Sequence, residues 1–139
     1  MTEGDKRHVI ATATVVGEDK PYAVRIDTGG HALRGDEPVA HGGTDSGPAP
    51  FGLVLSGLGA CTAITLRMYA ERKNWPLTDV QVELRYVKAD RDTGWIERSI
   101  TVAGVDEQQR ERLAEVAEKT PVTKVVRAGS EIRTTVTAR

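Results

Sequence analysis

Apolar and polar residues follow a strand period in some parts of this chain and a helix period in others, and one long stretch obeys neither. Val80, Val82, Leu84 and Tyr86 alternate with Gln81, Glu83 and Arg85, the pattern of a strand with one face buried. A turn of composition KADRDTG separates it from Ile96, Ile100 and Val102, which predict an antiparallel partner whose apolar face is broken by Arg98. The exceptional stretch lies upstream. From Ser46 to Leu66 no side chain is charged, and the chain then turns abruptly to Arg67, Glu71, Arg72 and Lys73. That distribution predicts a helix over Pro50–Lys73, buried through its first turns and reaching water at its last. It would be about 36 Å long, enough to cross a small domain.

The remaining elements follow in order. His8–Val16 is rich in β-branched residues and predicts a strand, GEDKP a turn, and Tyr22–Asp27 the second arm of a hairpin. Gly29-Gly30 marks another turn, and His31–Leu33 a short third strand. The segment GDEPVAHGGTDSGPAP is a loop by composition and delivers the chain to the central helix. Asn74-Trp75-Pro76 stops that helix, because proline cannot continue it. Asp106 is placed to cap a second helix over Glu107–Lys119, with Leu113, Val116 and Ala117 as its apolar stripe and Thr120 extending the stripe inward. Pro121 is expected to end this helix, and Glu131–Thr137 to form a last strand. The order β-β-β-α-β-β-α-β describes one α+β domain over residues 1–139, an antiparallel sheet packed on a long central helix and a second helix.

Within the central helix Gly52, Ser56, Gly59 and Ala63 form a stripe of small residues, which suggests close packing of another helix, including that of a second subunit. A membrane span is the competing description of the stretch. Prolines crowd its start, glycine, serine and threonine dilute it, and no basic cluster precedes it, so a soluble core helix is the better account. The spacing of Gly42 and Gly47 matches a phosphate loop, but Pro48-Ala49 stands where the Lys-Ser/Thr pair belongs.

Composition narrows the classes further. With 19 basic and 20 acidic residues in 139, and 4% aromatic residues, nothing marks a nucleic-acid surface. The single cysteine, Cys61, excludes an internal disulfide and any cysteine-rich zinc site, and suits a reducing compartment. The first residues, MTEGDKRHV, lack the apolar core of a signal peptide, so the expectation is a soluble cytoplasmic protein.

Cys61 is the first candidate for chemistry. A lone cysteine on an apolar helix is commonly a small buried hydrophobe; as a nucleophile it needs something to stabilise its thiolate. A helix N-terminus would serve, but Cys61 lies about three turns into its own helix. The cation would then come from elsewhere, and Arg25, on an inner hairpin strand, is the first to test, although a solvated strand arginine is the ordinary alternative. His8, His31 and His41 have no metal-ligand spacing, so neither a metal nor any other cofactor is expected.

The motifs then say more than composition. DEP, GGTDSGPAP, and the run from Leu55 through Gly59-Ala60-Cys61-Thr62 to Trp75-Pro76-Leu77 resemble the OsmC/Ohr family of organic hydroperoxide reductases, most closely its OsmC-like branch. Ile96-Glu97-Arg98-Ser99-Ile100, Gln109-Arg110 with Leu113, and AEKTPV at Ala117–Val122 continue the resemblance over nearly the whole chain. It implies an intertwined α+β homodimer with central helices at its middle and sites at the subunit interface. It also implies a peroxidatic cysteine at Cys61 and a resolving cysteine, in a C-P-V motif, at the position held here by Thr120. A threonine forms no disulfide, so the family's resolving step is closed within one chain. A glutamate of the Ohr branch, after the helix-opening proline, is replaced by Phe51, which the resemblance places in the pocket.

Two functions remain open at this stage. One is a one-cysteine or impaired peroxidase of oxidative stress defence, reducing a small apolar hydroperoxide and regenerated by an external thiol. The other is a non-catalytic dimer that binds a small apolar ligand. Neither involves nucleic acid or a membrane.

Overall fold

A computed structural model describes residues 7–139. The chain divides into two compact units, Met1–Leu53 and Val54–Arg139. The fold is α+β. The expected antiparallel sheet is present as two separate sheets, one of three strands and one of two.

The first unit holds β1 (Thr14–Gly17), β2 (Val24–Thr28) and β3 (His31–Gly35) in that spatial order, each pair antiparallel. Thr14 pairs with Asp27 and Thr28 with His31, with Gly29 and Gly30 at positive φ in the turn. The first strand is shorter than its β-branched run predicts. β2 ends at Thr28, whose hydroxyl donates to the Thr12 carbonyl at 2.8 Å, so the ladder has no strand to continue on further out, and Val9 and Ile10 are exposed.

A polar knot follows β3. The buried Asp36 carboxylate accepts the Glu37 amide (2.7 Å) on Oδ1, and the amides and hydroxyls of Thr44 and Ser46 on Oδ2, the two hydroxyls at 2.6 and 2.7 Å. The Thr44 and Ser46 hydroxyls and the Ser46 amide, with lesser help from Glu37, hold this carboxyl far below the usual range against the opposing effect of burial. The glycines of the motif are required sterically. A Cβ on Gly43 would lie 2.0 Å from the Glu37 carbonyl oxygen, and one on Gly47 2.4 Å from that of Arg34. A 3₁₀ turn at Val39–His41 completes the loop.

Helix α1 (Pro50–Arg72) opens in the first unit and runs on in the second. It stops at a Schellman motif. Asn74 adopts φ 57°, its amide donates to Glu71, the Trp75 amide donates to Ala70, and Pro76 follows. One stripe of the helix, Leu58, Thr62, Leu66 and Ala70, is buried, at i, i+4, i+8 and i+12. By length and composition α1 would also cross a bilayer. In the second unit its inner stripe instead enters a core of Leu66, Ala70, Leu77, Leu113 and Ala117, flanked by Val80, Ile100 and Val102. At Gly59 the close neighbour is a strand and not a helix, because an added Cβ would lie 2.8 Å from Leu84 Cδ1.

β4 (Asp79–Lys88) and β5 (Gly94–Ala103) form a ten-residue antiparallel hairpin, with Val82 opposite Ile100 and Leu84 opposite Arg98. Asp106 caps α2 (Glu107–Ala117) through a capping box. Its carboxylate accepts the Gln109 amide at 2.7 Å, while the Gln109 side chain accepts the Asp106 amide at 3.0 Å.

The C-terminal part departs from expectation twice. Pro121 does not only end a helix; it begins another, α3 (Pro121–Ala128), with Thr120 as its N-cap. The segment predicted as a last strand, Glu131–Thr137, has no strand structure, and Ile132 and Val136 are 86% and 93% exposed. A strand needs a neighbour for its amides and carbonyls, and among the described residues no strand pairs with this segment.

Candidate active site at the start of helix α3

The second unit assembles one chemically distinctive corner. Cys61 is partly buried on α1, one residue before the stripe that faces the core. Its surroundings come from two other segments.

The first is the α2–α3 junction. Thr120 is fully buried at the N-cap of α3, where its Oγ1 accepts the Thr123 amide at 3.2 Å and lies 2.7 Å from the Thr123 hydroxyl. Pro121 at the first helical position has no N–H, so Val122 offers the first amide left without an intrahelical acceptor. That amide and the Thr120 hydroxyl are the two groups that most favour a thiolate on Cys61. Thr65, one turn further along α1, places its hydroxyl 4.0 Å away.

The second is Arg98 of β5. Its side chain is 10% exposed and its two terminal nitrogens each make two contacts. Nη1 donates to Thr62 Oγ1 (3.0 Å) and Thr123 Oγ1 (2.8 Å); Nη2 donates to the Ala117 carbonyl (3.1 Å) and Glu118 Oε2 (3.2 Å). Arg98 thereby ties α1, the end of α2 and the start of α3 to the hairpin. With Arg127, which donates to the Glu118 carbonyl, it also supplies the positive charge that the C-terminus of α2 lacks in its own sequence.

These contacts decide the state of the sulfur. Partial burial is the largest single influence and pushes the thiol up. The Val122 amide, the Thr120 and Thr65 hydroxyls and the Arg98 charge act together in the opposite direction and prevail, leaving the Cys61 thiol below its ordinary value. A cavity of about 740 Å³ adjoins the corner, reaching Arg98 and Thr123 and walled by Leu58, Tyr86, Trp95 and Val126.

Of the residues singled out in the sequence, Cys61 and Thr120 meet here. Arg25 and Phe51 belong to the other unit. Arg25 lies exposed on β2 with Asp27 as its ion-pair partner at 3.7 Å, and Phe51 is 63% exposed on the first turn of α1. Arg98, Thr123 and the amide of Val122 were not anticipated in this role. The signal for Arg98 was its break in the apolar face of β5; for the amide it was Thr120-Pro121, an N-cap followed by proline at the first helical position. Among the described residues no three His, Cys, Asp or Glu side chains gather to hold a metal ion.

Known proteins agree with this architecture. None of the curated proteins compared with the chain matches it. Its fold is similar to that of an organic hydroperoxide resistance protein OsmC from Legionella pneumophila, at TM-score 0.67 and 21% identity over 88% of this chain and 92% of the other. It is also similar to an OsmC-like protein from Mycoplasma pneumoniae, at TM-score 0.68 and 16% identity over 86% and 88%. An organic hydroperoxide resistance protein from Elizabethkingia anophelis, solved with thiocyanate bound, aligns at TM-score 0.66 and 17% identity over 90% and 93%. The model of the OsmC-like protein family matches residues 43–135, a span that contains Cys61, Arg98 and Thr120, and the chain belongs to that family.

Proposed function

We propose that this protein reduces small organic hydroperoxides with Cys61 as its only redox-active group, in defence against oxidative stress. The observation that carries the reading is the sulfur itself, held below its ordinary pKa by a helix N-terminus, two hydroxyls and a buried arginine. The hydroperoxide resistance named for two of the structural relatives supports it.

The Cys61 thiolate attacks the outer peroxide oxygen. An S–O bond forms, the O–O bond breaks, and its electron pair leaves with the alkoxide, which takes a proton to become the alcohol. The sulfenic acid left on Cys61 cannot meet a second cysteine in this chain. An external thiol condenses with it, water leaves, and a second thiol attacks the external sulfur of that mixed disulfide, so that Cys61 departs as a thiolate and the two external thiols leave joined as a disulfide. The adjoining cavity, with its Tyr86, Trp95 and Val126 walls, suits the apolar part of the substrate. No cofactor takes part.

A cytoplasmic homodimer is part of the proposal. Outside its buried stripe, α1 exposes Val54, Ile64 and Met68, an apolar face that a second copy would cover.

The test is intact-mass measurement of the reduced protein after brief exposure to cumene hydroperoxide or hydrogen peroxide. Gain of one oxygen, about +16 Da, lost in Cys61→Ser and reversed by a small thiol, is the expected result. A sulfur inert to both oxidants would leave a ligand-binding role for the cavity.

A further inference from the structure

The corner contains more hydroxyl groups than a thiolate site needs, and their protons can be counted. Thr123 Oγ1 accepts from Arg98 Nη1 at 2.8 Å. Its single proton has two acceptors within reach, Thr120 Oγ1 at 2.7 Å and the Ala117 carbonyl at 3.3 Å. The carbonyl can accept both this proton and Arg98 Nη2 (3.1 Å), but its contact with Thr123 is long, whereas the contact with Thr120 has the ordinary length of an O–H···O bond, and the proton is assigned to the shorter one. Thr120 Oγ1 then accepts twice, from the Thr123 amide and from the Thr123 hydroxyl. With both lone pairs engaged, it has only its own proton left to offer, and it is one of the groups that favour the thiolate of Cys61. A protonated thiol facing Thr120 would find no lone pair; a thiolate finds a donor.

Resting on the thiolate chemistry above, we propose that Thr120 and Thr123 form a hydroxyl relay from Arg98 to Cys61, and that both are positioning residues for the nucleophile. Hydrogen bonds run in one direction, guanidinium to Thr123 to Thr120 to sulfur, each polarised by the one before it. The position where the family resemblance expects a resolving cysteine thus serves in this chain to activate the first. Thr123 acts on the sulfur without touching it. The charged groups bonded around the relay are Arg98 from β5, Glu118 at the end of α2, and Arg127 of α3, and Lys119 and Lys124 adjoin Thr120 and Thr123 in the sequence. Glu118 pairs with both arginines and is itself 57% exposed.

The test is the pH dependence of Cys61 alkylation by iodoacetamide across a variant series. Thr120→Val should raise the thiol pKa by about one unit, the scale of one hydrogen bond lost from an anion. Thr123→Val should raise it as well, while Thr120→Ser and Thr123→Ser stay near the parent value. The double valine variant should go no further than Thr120→Val, since a chain broken at its last link gains nothing from a second break. A Thr123→Val variant that titrates like the parent, or additive single effects, would overturn the relay. Thr120→Val also removes the α3 cap. Should it fail to fold, Thr123→Val against Thr123→Ser decides the matter alone. The readout is independent of peroxide reduction, so a parent protein that never gains oxygen sinks the proposed function, while the alkylation series still judges the relay.

Discussion

Arg98→Met separates what the buried guanidinium does for the fold from what it does for the sulfur. The substitution keeps most of the stem's volume and removes four hydrogen bonds. The contact with Glu118 counts for little, because that carboxylate is 57% exposed. The other three acceptors are buried and neutral, and none is stranded. Thr62 Oγ1 still donates to the Leu58 carbonyl at 2.7 Å, and the Thr123 hydroxyl can turn to the Ala117 carbonyl at 3.3 Å. Three bonds at about 1 kcal/mol each set the gross loss near 3 kcal/mol. Part returns because a charge need no longer be held away from water, so a net loss of about 1–3 kcal/mol is expected. The sulfur has no such compensation. It loses both the nearby charge and the first donor of its hydroxyl chain, and its pKa should rise by about one unit or more, each unit being about 1.4 kcal/mol. Arg98→Lys should fall between, since an ammonium keeps the charge but cannot fork toward two hydroxyls and a carbonyl at once. Urea denaturation gives the first quantity and pH-dependent alkylation the second. A folded Arg98→Met protein whose thiol titrates unchanged would refute the assignment of Arg98 as the activating cation.

Three other outcomes are expected. The Asp36 carboxyl is lowered in the fold from an ordinary 3.8, so the stability it lends is complete above that pH and drains away as pH falls below it. Thermal melts followed by circular dichroism between pH 2 and 5 should show this loss, and Asp36→Asn should flatten it. Gly43→Ala should damage the loop over Asp36–Pro48, because its methyl group would collide with a carbonyl and not with a side chain that can move aside. Limited proteolysis at that loop should quicken relative to the parent. Thr120→Cys would place a second sulfur where a hydroxyl now favours the Cys61 thiolate. Peroxide should then produce an internal disulfide, read as a loss of about 2 Da and of both titratable thiols; two thiols surviving oxidation would contradict that geometry.

The long elements were legible in the sequence because each carries a full period of its pattern. The central helix, the β4–β5 hairpin and the Asp106 cap depend on residues within a few positions of one another. The errors arose where distant partners decide. Glu131–Thr137 has the composition of a strand, but composition does not provide a neighbouring ladder. Pro121 reads as a stop because a proline interrupts a helical pattern; that Thr120 and Pro121 also make a good helix start shows only when the chain bends there. The site suffered for the same reason. Cys61 and Thr120 stood out by motif, whereas Arg98 enters the same corner from a different element, and its contacts at Thr62, Ala117 and Thr123 span 36, 19 and 25 residues of separation. Only the missing apolar side chain in β5 hinted at it.

The Asp36 knot has a consequence for how the smaller unit melts. Among the described residues the buried hydrophobic ones there are Ala23 and Ile26, whereas the second unit has Leu58, Leu66, Ala70, Leu77, Leu113 and Ala117. Cohesion drawn from oriented dipoles around one anion, with little oil behind it, unfolds with a small heat-capacity increment and a shallow calorimetric peak. Amide deuteration should accordingly reach β1 to β3 well before it reaches the hairpin beneath α1, making the two parts of the chain separate exchange units.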